Sequence, residues 1–399
     1  MLYLKQSLPG RKLLRSIALD QSVRAALFAF LLTRILVFTI FILTAYLSIP
    51  TKSFGRQVKE AELSLDQRSI PQKLVQLAQA ADANWYMGIA GGGYERGPFT
   101  AESQHTWAYF PLYPMVLWLG GMITGELPLT GMALSNIFLL AALILLHKTA
   151  LAFGCDEGCA DRAVFYTAAF PVSYFFSLPL TESLFLCLTV GSFYAARRDA
   201  WWTACVLGAL ASATRVGGIL LLPALSMLYW QQHGFKLKMK AASLLLIPLG
   251  LLSFMLYLHF LTGNALAFKD AQAAWGRSYS FFLSPLYDYL VHFRLIVTTW
   301  NFKLLNFASA ILAFACGFVL LKRREWALAL YTLLSVIVPL SSNTLQGVDR
   351  YVMTIFPVFI VLARAGRGPR LDQTIRTIFI ALLGLLAALF AARFSLAMV

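Results

Sequence analysis

Charge is scarce in this sequence. Of 399 residues only 13% are Asp, Glu, Lys or Arg, about half the share of an ordinary soluble domain, which excludes a water-soluble enzyme of normal make-up. Acids are the scarcer sign, 18 against 33 bases, for a net charge of +15. Cysteine is sparse too. Five residues, most of them in or beside apolar segments, make no disulfide framework. Cys155 and Cys159 stand four apart without a histidine cluster nearby, which argues against a zinc site. Internal repeats and low-complexity tracts are also missing. What is present is apolar: 59% of the chain is hydrophobic, with mean hydropathy +0.70. On a soluble protein the basic excess would suggest nucleic acid. Against recurrent apolar runs it marks cytoplasmic loops instead, so the expected partner is the lipid bilayer, and no nucleic acid is expected.

The first apolar run extends from near Arg24 to about Ile49, behind Lys5, Arg11, Lys12 and Arg15. At 1.5 Å per residue it is long enough to span a bilayer, and no small-residue cleavage site closes it. It reads as a retained first helix with its N-terminus inside. Further apolar segments lie near 129–148, 161–180, 182–196, 201–215, 217–231, 241–262, 302–321, 326–342, 351–364 and 374–395. Basic clusters separate some of them: Arg197 and Arg198; Lys236, Lys238 and Lys240; Lys322, Arg323 and Arg324; Arg364, Arg367 and Arg370. All four belong in the cytoplasm. The stretch 51–107 carries six bases and six acids and belongs outside. Counting 108–123 as a full span would put Arg197 on the wrong side. That stretch is short and holds Pro111 and Pro114, so it reads as an interfacial or re-entrant segment. The expectation is an all-α, polytopic transmembrane bundle of about 11 spans, C-terminus outside. It forms a single domain over 1–399, with an outer loop 51–128 bearing short surface helices and no soluble terminal domain.

Chemistry then has to sit in the outer loops 51–128, 263–301 and 343–350 and in the helix ends beneath them. The run 82–99, with 105–114 after it, interleaves polar, aromatic and glycine residues. Its bland reading is an aromatic belt at headgroup depth, with Asp82 as a helix N-cap. Gly91, Gly92 and Gly93 form a weak phosphate-loop signal that reads better as a hinge.

The run Asp82-Ala83-Asn84-Trp85-Tyr86, Ile89-Ala90, Gly93-Tyr94 and Phe110-Pro111-Leu112-Tyr113-Pro114 resembles the PIG-V-type mannosyltransferases. That family supplies a mannose of glycosylphosphatidylinositol anchors, has bacterial relatives, and belongs to the GT-C class of integral-membrane glycosyltransferases. Thr33-Arg34-Ile35-Leu36, Thr181-Glu182-Ser183, Thr214-Arg215-Val216-Gly217-Gly218, and Arg350-Tyr351 with Phe356-Pro357 follow in the expected order. Ala81 departs from the pattern, standing where the family usually has Trp. The resemblance implies transfer of a sugar, mannose first, from a polyprenyl-phosphate donor to an acceptor hydroxyl on a glycolipid, polysaccharide or protein, with inversion. The compact loops point to a bacterial plasma membrane, or the endoplasmic reticulum membrane if the source is a eukaryote, and the resemblance permits a partner subunit. A nucleotide-sugar donor is disfavoured because the chain has no Rossmann-type fingerprint or Asp-x-Asp motif.

Such transfer needs a base for the acceptor proton and a cation for the departing phosphate. Asp82 is the candidate base. Arg350, with Arg215 second, is the candidate for the phosphate. Glu182, Tyr351, Trp85, Tyr86 and Tyr113 are the further substrate-binding candidates. Each has a bland alternative. Glu182 could be a second acid or a helix cap, Arg215 could snorkel to headgroups, and Arg350 could simply pair with Asp349. Arg34 lies near mid-bilayer, where a charge costs at least about 2.5–3.5 kcal/mol. It reads as a structural charge, with Glu182 a partner if the helices meet. His105, His259 and His292 lack ligand spacing, so a divalent metal is left open but not favoured. Lys269, Arg277 and Arg294 either attract an anionic lipid headgroup or are merely solvated. The rival class is a transporter or flippase, which should instead show repeated halves and paired midplane charges.

The topology is tested by single cysteines placed in 51–107 and near Lys238. A membrane-impermeant maleimide should reach them from opposite sides, and labelling of both from one side would overturn the orientation.

Overall fold

The computed structural model describes residues 20–47, 70–234, 236, 238–293 and 302–395. Among them there are helices and connecting turns and no strand. Helix α1 (Gln21–Leu47) opens the chain, and two short helices follow, α2 (Ile70–Ala78) and α3 (Ala83–Gly92). The helix α4 (Leu112–Thr124) has 13 residues, about 20 Å against a hydrocarbon core of about 30 Å. It ends on left-handed Gly125 and packs on α3 and on the next helix, α5 (Leu127–Ala152). The stretch 108–123 is therefore too short to cross as one straight helix. Its exposed residues Met115, Trp118, Met122 and Ile123 are of the kind that suits contact with lipid.

The rest of the bundle consists of α6 (Glu157–Ala169), α7 (Glu182–Arg197), α8 (Trp201–Thr214), α9 (Leu221–His233), α10 (Leu249–Thr262), α11 (Ala267–Asp270), α12 (Ser284–Val291), α13 (Lys303–Lys322), α14 (Trp326–Leu340), α15 (Val348–Val352), α16 (Phe356–Ala365) and α17 (Pro369–Ser395). Among the described residues five stretches are long and apolar enough to cross a membrane: Gln21–Thr44, Leu127–Ala152, Met239–Thr262, Lys303–Lys322 and Pro369–Ala392. The other apolar segments of the sequence are shorter helices, several continued by 3-10 turns such as Ser173–Ser177 and Val216–Leu220. The protein is an all-helical integral membrane protein. Its best-buried helix is α7, wedged between α5 and α8, and 13 of its 16 residues are buried.

The four basic clusters meet at one end. Arg197 donates to the Ala152 carbonyl that closes α5, at 2.8 Å, and Arg364 donates to the Phe153 carbonyl at 2.7 Å. Arg364 also pairs with Glu325 at 2.7 Å, Lys240 pairs with Asp199, and Gln231 donates to the Arg324 carbonyl. The Lys240 ammonium holds the Asp199 carboxyl below its usual range. These contacts give partners to helix-end carbonyls that would otherwise have none. Glu182 and Arg197 lie at opposite ends of α7, about 23 Å apart along the axis, so the basic end is far from Glu182. Cys155 and Cys159 sit at this basic end, at the start of α6, where Asp156 caps the helix by accepting from Cys159 N at 2.7 Å. Their sulfurs face one another across this first turn.

Arg34 does not reach Glu182, which corrects the expected pairing. It donates to the Ala168 and Ser173 carbonyls at 2.9 and 2.8 Å and to the Ser173 and Ser177 hydroxyls at 2.9 and 3.0 Å. Those carbonyls lie at the C-terminal end of α6 and in the turn after it. The deep charge is thus solvated by backbone and hydroxyl oxygens in place of water.

The turn after α8 is held by close backbone approach. A Cβ at Gly218 would overlap the Ala211 and Ser212 backbone, whereas one at Gly217 would meet only the Phe185 ring at 3.6 Å. Gly218→Ala should therefore lower the melting temperature of the purified protein by several degrees, equivalent to about 2 kcal/mol or more. Gly217→Ala should leave it within a degree or so. Equal melting temperatures would show that this turn is not packed as described.

Candidate functional site

Between α2 and α3 the chain turns through Ala81, whose φ of +55° is in the left-handed region that residues with a Cβ rarely occupy. The next residue is Asp82, at the N-cap position of α3, but its side chain makes no capping bond. Its Oδ2 instead accepts from Arg350 Nη1 at 3.0 Å. The N-cap reading of Asp82 is thereby overturned, and the backbone strain at Ala81 coincides with the residue being redirected.

Arg350 lies in α15 and reaches a second carboxylate. Its Nε and Nη2 donate to Glu182 Oε1 at 3.1 and 2.6 Å. Arg215, at the end of α8, approaches the same oxygen at 3.5 Å. Asp82, Glu182, Arg215 and Arg350 thus form one cluster of two acids and two bases. Glu182 is fully buried, and Asp82 is 41% exposed. The guanidinium of Arg350 lies 4.6 Å from the Phe175 ring centre, and that of Arg215 lies 4.9 Å from Tyr351, distances at which rings stabilise a cation. Asp349 does not pair with the Arg350 guanidinium, contrary to the bland alternative. Its Oδ1 accepts the Arg350 backbone N–H at 2.8 Å, and its own N–H donates to Asn306 at 3.1 Å. Burial pushes the Asp349 carboxyl up to about 6.

The cluster opens on a cavity of about 1080 Å³, large enough for a sugar and a second sizeable group. Asp82, Tyr86, Arg215, Arg350 and Tyr351 line it. Glu182 is absent from the lining and stands behind the arginines. Tyr113 is buried, with its hydroxyl at 3.1 Å from Ser135, so this expected substrate contact is a core residue. Trp85 also misses the cavity lining and stacks on Tyr109, with ring centres 5.5 Å apart. Tyr109 and Trp275, which sequence reasoning missed, do line the cavity. Trp275 packs 6.0 Å from Tyr109 and 6.1 Å from Trp85. The density of aromatics in 105–114 was the signal for Tyr109, whereas Trp275 stands alone in its loop. Burial raises the phenols of Tyr94 and Tyr109, keeping them protonated. Tyr94 donates to the Tyr109 carbonyl at 2.7 Å.

Gly91 and Gly92 close α3 and Gly93 is its C-cap. That end of a helix presents carbonyl oxygens, so it cannot act as a phosphate loop. The three histidines do not converge. His105 pairs with Glu95 at 2.6 Å and stacks on Trp107, and His292 pairs with Asp288. Among the described residues no group of three His, Cys, Asp or Glu could hold a metal ion. Lys269 and Arg277 line the cavity, and Arg294 lies outside the described residues.

A family described as mannosyltransferase (PIG-V) matches residues 24–273. Among solved structures, ArnT from Cupriavidus metallidurans, bound to undecaprenyl phosphate, is similar in fold, with a TM-score of 0.50 and 12% identity. The likeness covers 88% of this chain and 62% of that one. The oligosaccharyltransferase of Archaeoglobus fulgidus in its apo form gives a TM-score of 0.48 at 13% identity, covering 93% of this chain and 56% of that one. The chain thus spans about three-fifths of the length of these structures. A search of curated proteins gives no match. The family match sets the transporter alternative aside. Because it extends over more than half of the sequence, the chain belongs to the mannosyltransferase (PIG-V) family.

Proposed function

We propose that the protein transfers a mannosyl residue from a polyprenyl-phosphate-linked donor to an acceptor hydroxyl, with inversion. The reaction takes place at the extracytoplasmic face of the membrane, in bacteria the periplasmic face of the plasma membrane. The carrying observation is a half-exposed carboxylate, Asp82, held at 3.0 Å by an arginine on the wall of a large cavity. The family match supports mannose, and the undecaprenyl phosphate bound to the similarly folded ArnT supports the donor class. The gathering of basic clusters at the opposite end supports the orientation.

An acceptor hydroxyl is a weak nucleophile. In this mechanism Asp82 Oδ1 takes its proton as the acceptor oxygen attacks the anomeric carbon. The new C–O bond forms as the bond from that carbon to the phosphate oxygen breaks, and the lipid phosphate leaves with the electron pair. A single displacement inverts the centre. Arg350 holds Asp82 by Oδ2 and is itself fixed by Glu182, so the base is positioned before the acceptor arrives. Glu182 is a positioning residue on this reading, because it lies behind the arginines and does not line the cavity. Acceptors with a sugar or peptide hydroxyl both suit the site chemistry.

Two variants test the assignment. Asp82→Asn keeps size, and the side chain caps no helix end, so folding and donor binding should be unchanged. Transfer should fall by about 10²–10⁴-fold, and the wild-type product should carry the inverted anomer by NMR. Robust transfer by this variant would remove Asp82 as the base. Arg350→Lys keeps a charge but loses the fork that spans two carboxylates, so kcat should fall by about 10²-fold with the melting temperature nearly preserved. Unchanged kcat would mean that Arg350 does not position the base.

A further inference from the structure

Within the four-charge cluster Arg350 is fully engaged, while Arg215 touches Glu182 through Nη2 alone and leaves its buried Nη1 without a partner. Arg350 donates to Asp82 and twice to Glu182, and Arg215 leans on the same Glu182 oxygen. A phosphate that drew either arginine away would leave a fully buried carboxylate short of a partner, which is costly. Cations elsewhere on the cavity wall could meet the leaving phosphate without loosening the hold on Glu182.

Two are present, in the segment from α11 to Ser278. Lys269 lines the cavity and has no side-chain partner among the described residues. Arg277 lines it too, and its guanidinium donates to the neutral Gln272 Oε1 at 2.7 Å and meets no carboxylate among the described residues. The only acid in 263–283 is Asp270, which accepts from Asn264 at 2.9 Å and does not line the cavity. Local structure fixes these positions. The 3-10 turn Ala271–Trp275 stops at left-handed Gly276, and the backbone N–H of Arg277 returns to the Gln272 carbonyl at 3.3 Å. Trp275, just before that stop, docks the segment on Trp85 and Tyr109. Tyr109 bridges the two parts of the site, since its phenol is within electrostatic reach of Asp82, Arg350 and Arg277 alike.

The segment is also built to meet a lipid. Ser280 N–H donates to the Ser341 carbonyl at 3.0 Å, and Asn343 to Ser278 at 3.3 Å, tying the loop to the end of α14. Tyr279, 90% exposed, lines the cavity, as do the apolar Phe302, Leu305 and Val338. Uncommitted cations beside an apolar wall match a phosphate that arrives on an isoprenoid chain.

We infer that Lys269 and Arg277 form the subsite for the phosphate of the lipid-linked donor, while Arg350 and Arg215 serve to position Asp82 and Glu182. This assignment rests on the proposed glycosyl transfer and replaces the expectation that Arg350 meets the phosphate. The acceptor oxygen then attacks the anomeric carbon as its proton goes to Asp82, the bond from that carbon to the phosphate oxygen breaks, and the departing phosphate keeps the electron pair and stays on Lys269 and Arg277.

The test uses full-length protein in lipid nanodiscs and undecaprenyl phosphate as the probe, read by Trp fluorescence and by thermal shift. Wild type should bind it, and should bind undecaprenyl alcohol and inorganic phosphate far more weakly. Lys269→Ala with Arg277→Ala should weaken binding of undecaprenyl phosphate by about 10²-fold and raise the donor KM while kcat changes less. Arg350→Lys should do the reverse, lowering kcat with binding of the probe within about twofold. Lys238→Ala, at the basic end, should change neither. Undiminished binding by the double variant would overturn the subsite and leave the transfer reading standing. Failure of the folded wild type to bind undecaprenyl phosphate would overturn both. Equal binding of inorganic phosphate and undecaprenyl phosphate would point to a general anion site and also overturn the donor assignment.

Discussion

The guanidinium of Arg350 ties together three parts of the chain that have nothing else in common. Asp82 lies in the turn between two short helices, Glu182 opens the most buried helix of the bundle, and Arg350 sits in a five-residue helix near the end of α14. Lysine could not do this, because the arrangement needs separate nitrogens aimed at two carboxylates on different sides. The burial of Glu182 is tolerable only with such partners. The shape of the cavity depends on the same contact, since Asp82 and Arg350 form adjoining parts of its wall.

Much of the framework was legible in the sequence because membrane insertion writes coarse signals. Long apolar runs gave α1, α5, α13 and α17, and the clusters of Lys and Arg marked an end where they do gather. The short helices were harder. α7 has 16 residues and α16 has 10; a 3-10 stretch and bends precede α7 and turns flank α16, none of which hydropathy can register. Their lengths suit helices enclosed by other protein more than helices facing lipid. Arg34 shows a second limit. Its depth announced that it must be satisfied inside the protein, but its partners are carbonyl and hydroxyl oxygens, which leave no mark in a search for opposite charges.

At the site, the legible part was the set of charged residues near helix ends. Asp82, Glu182, Arg215 and Arg350 do come together, though which of them pair was not readable, since pairing depends on how α3, α7 and α15 are set against one another. Tyr113 misled because its sequence neighbours include cavity-lining residues while its own side chain turns to Ser135. The strain at Ala81 left no signal, since alanine in a turn is unremarkable until its φ is known. Lys269 and Arg277 carried only the diffuse signal of bases in a loop, and Trp275 carried none.

Glu182 stands in the first turn of α7, and Arg197 stands in its last. Peptide dipoles aligned along a helix place partial positive charge at its start and partial negative charge at its end. The carboxylate thus sits at the favourable pole of the helix that carries it, and Arg197 sits at the opposite pole. Part of the field that stabilises Glu182 comes from the backbone itself and does not move when a side chain does. The fixed backbone field thus adds to the hold of Arg350 and Arg215 on Glu182, so the anchor that positions Asp82 is set partly by the helix itself.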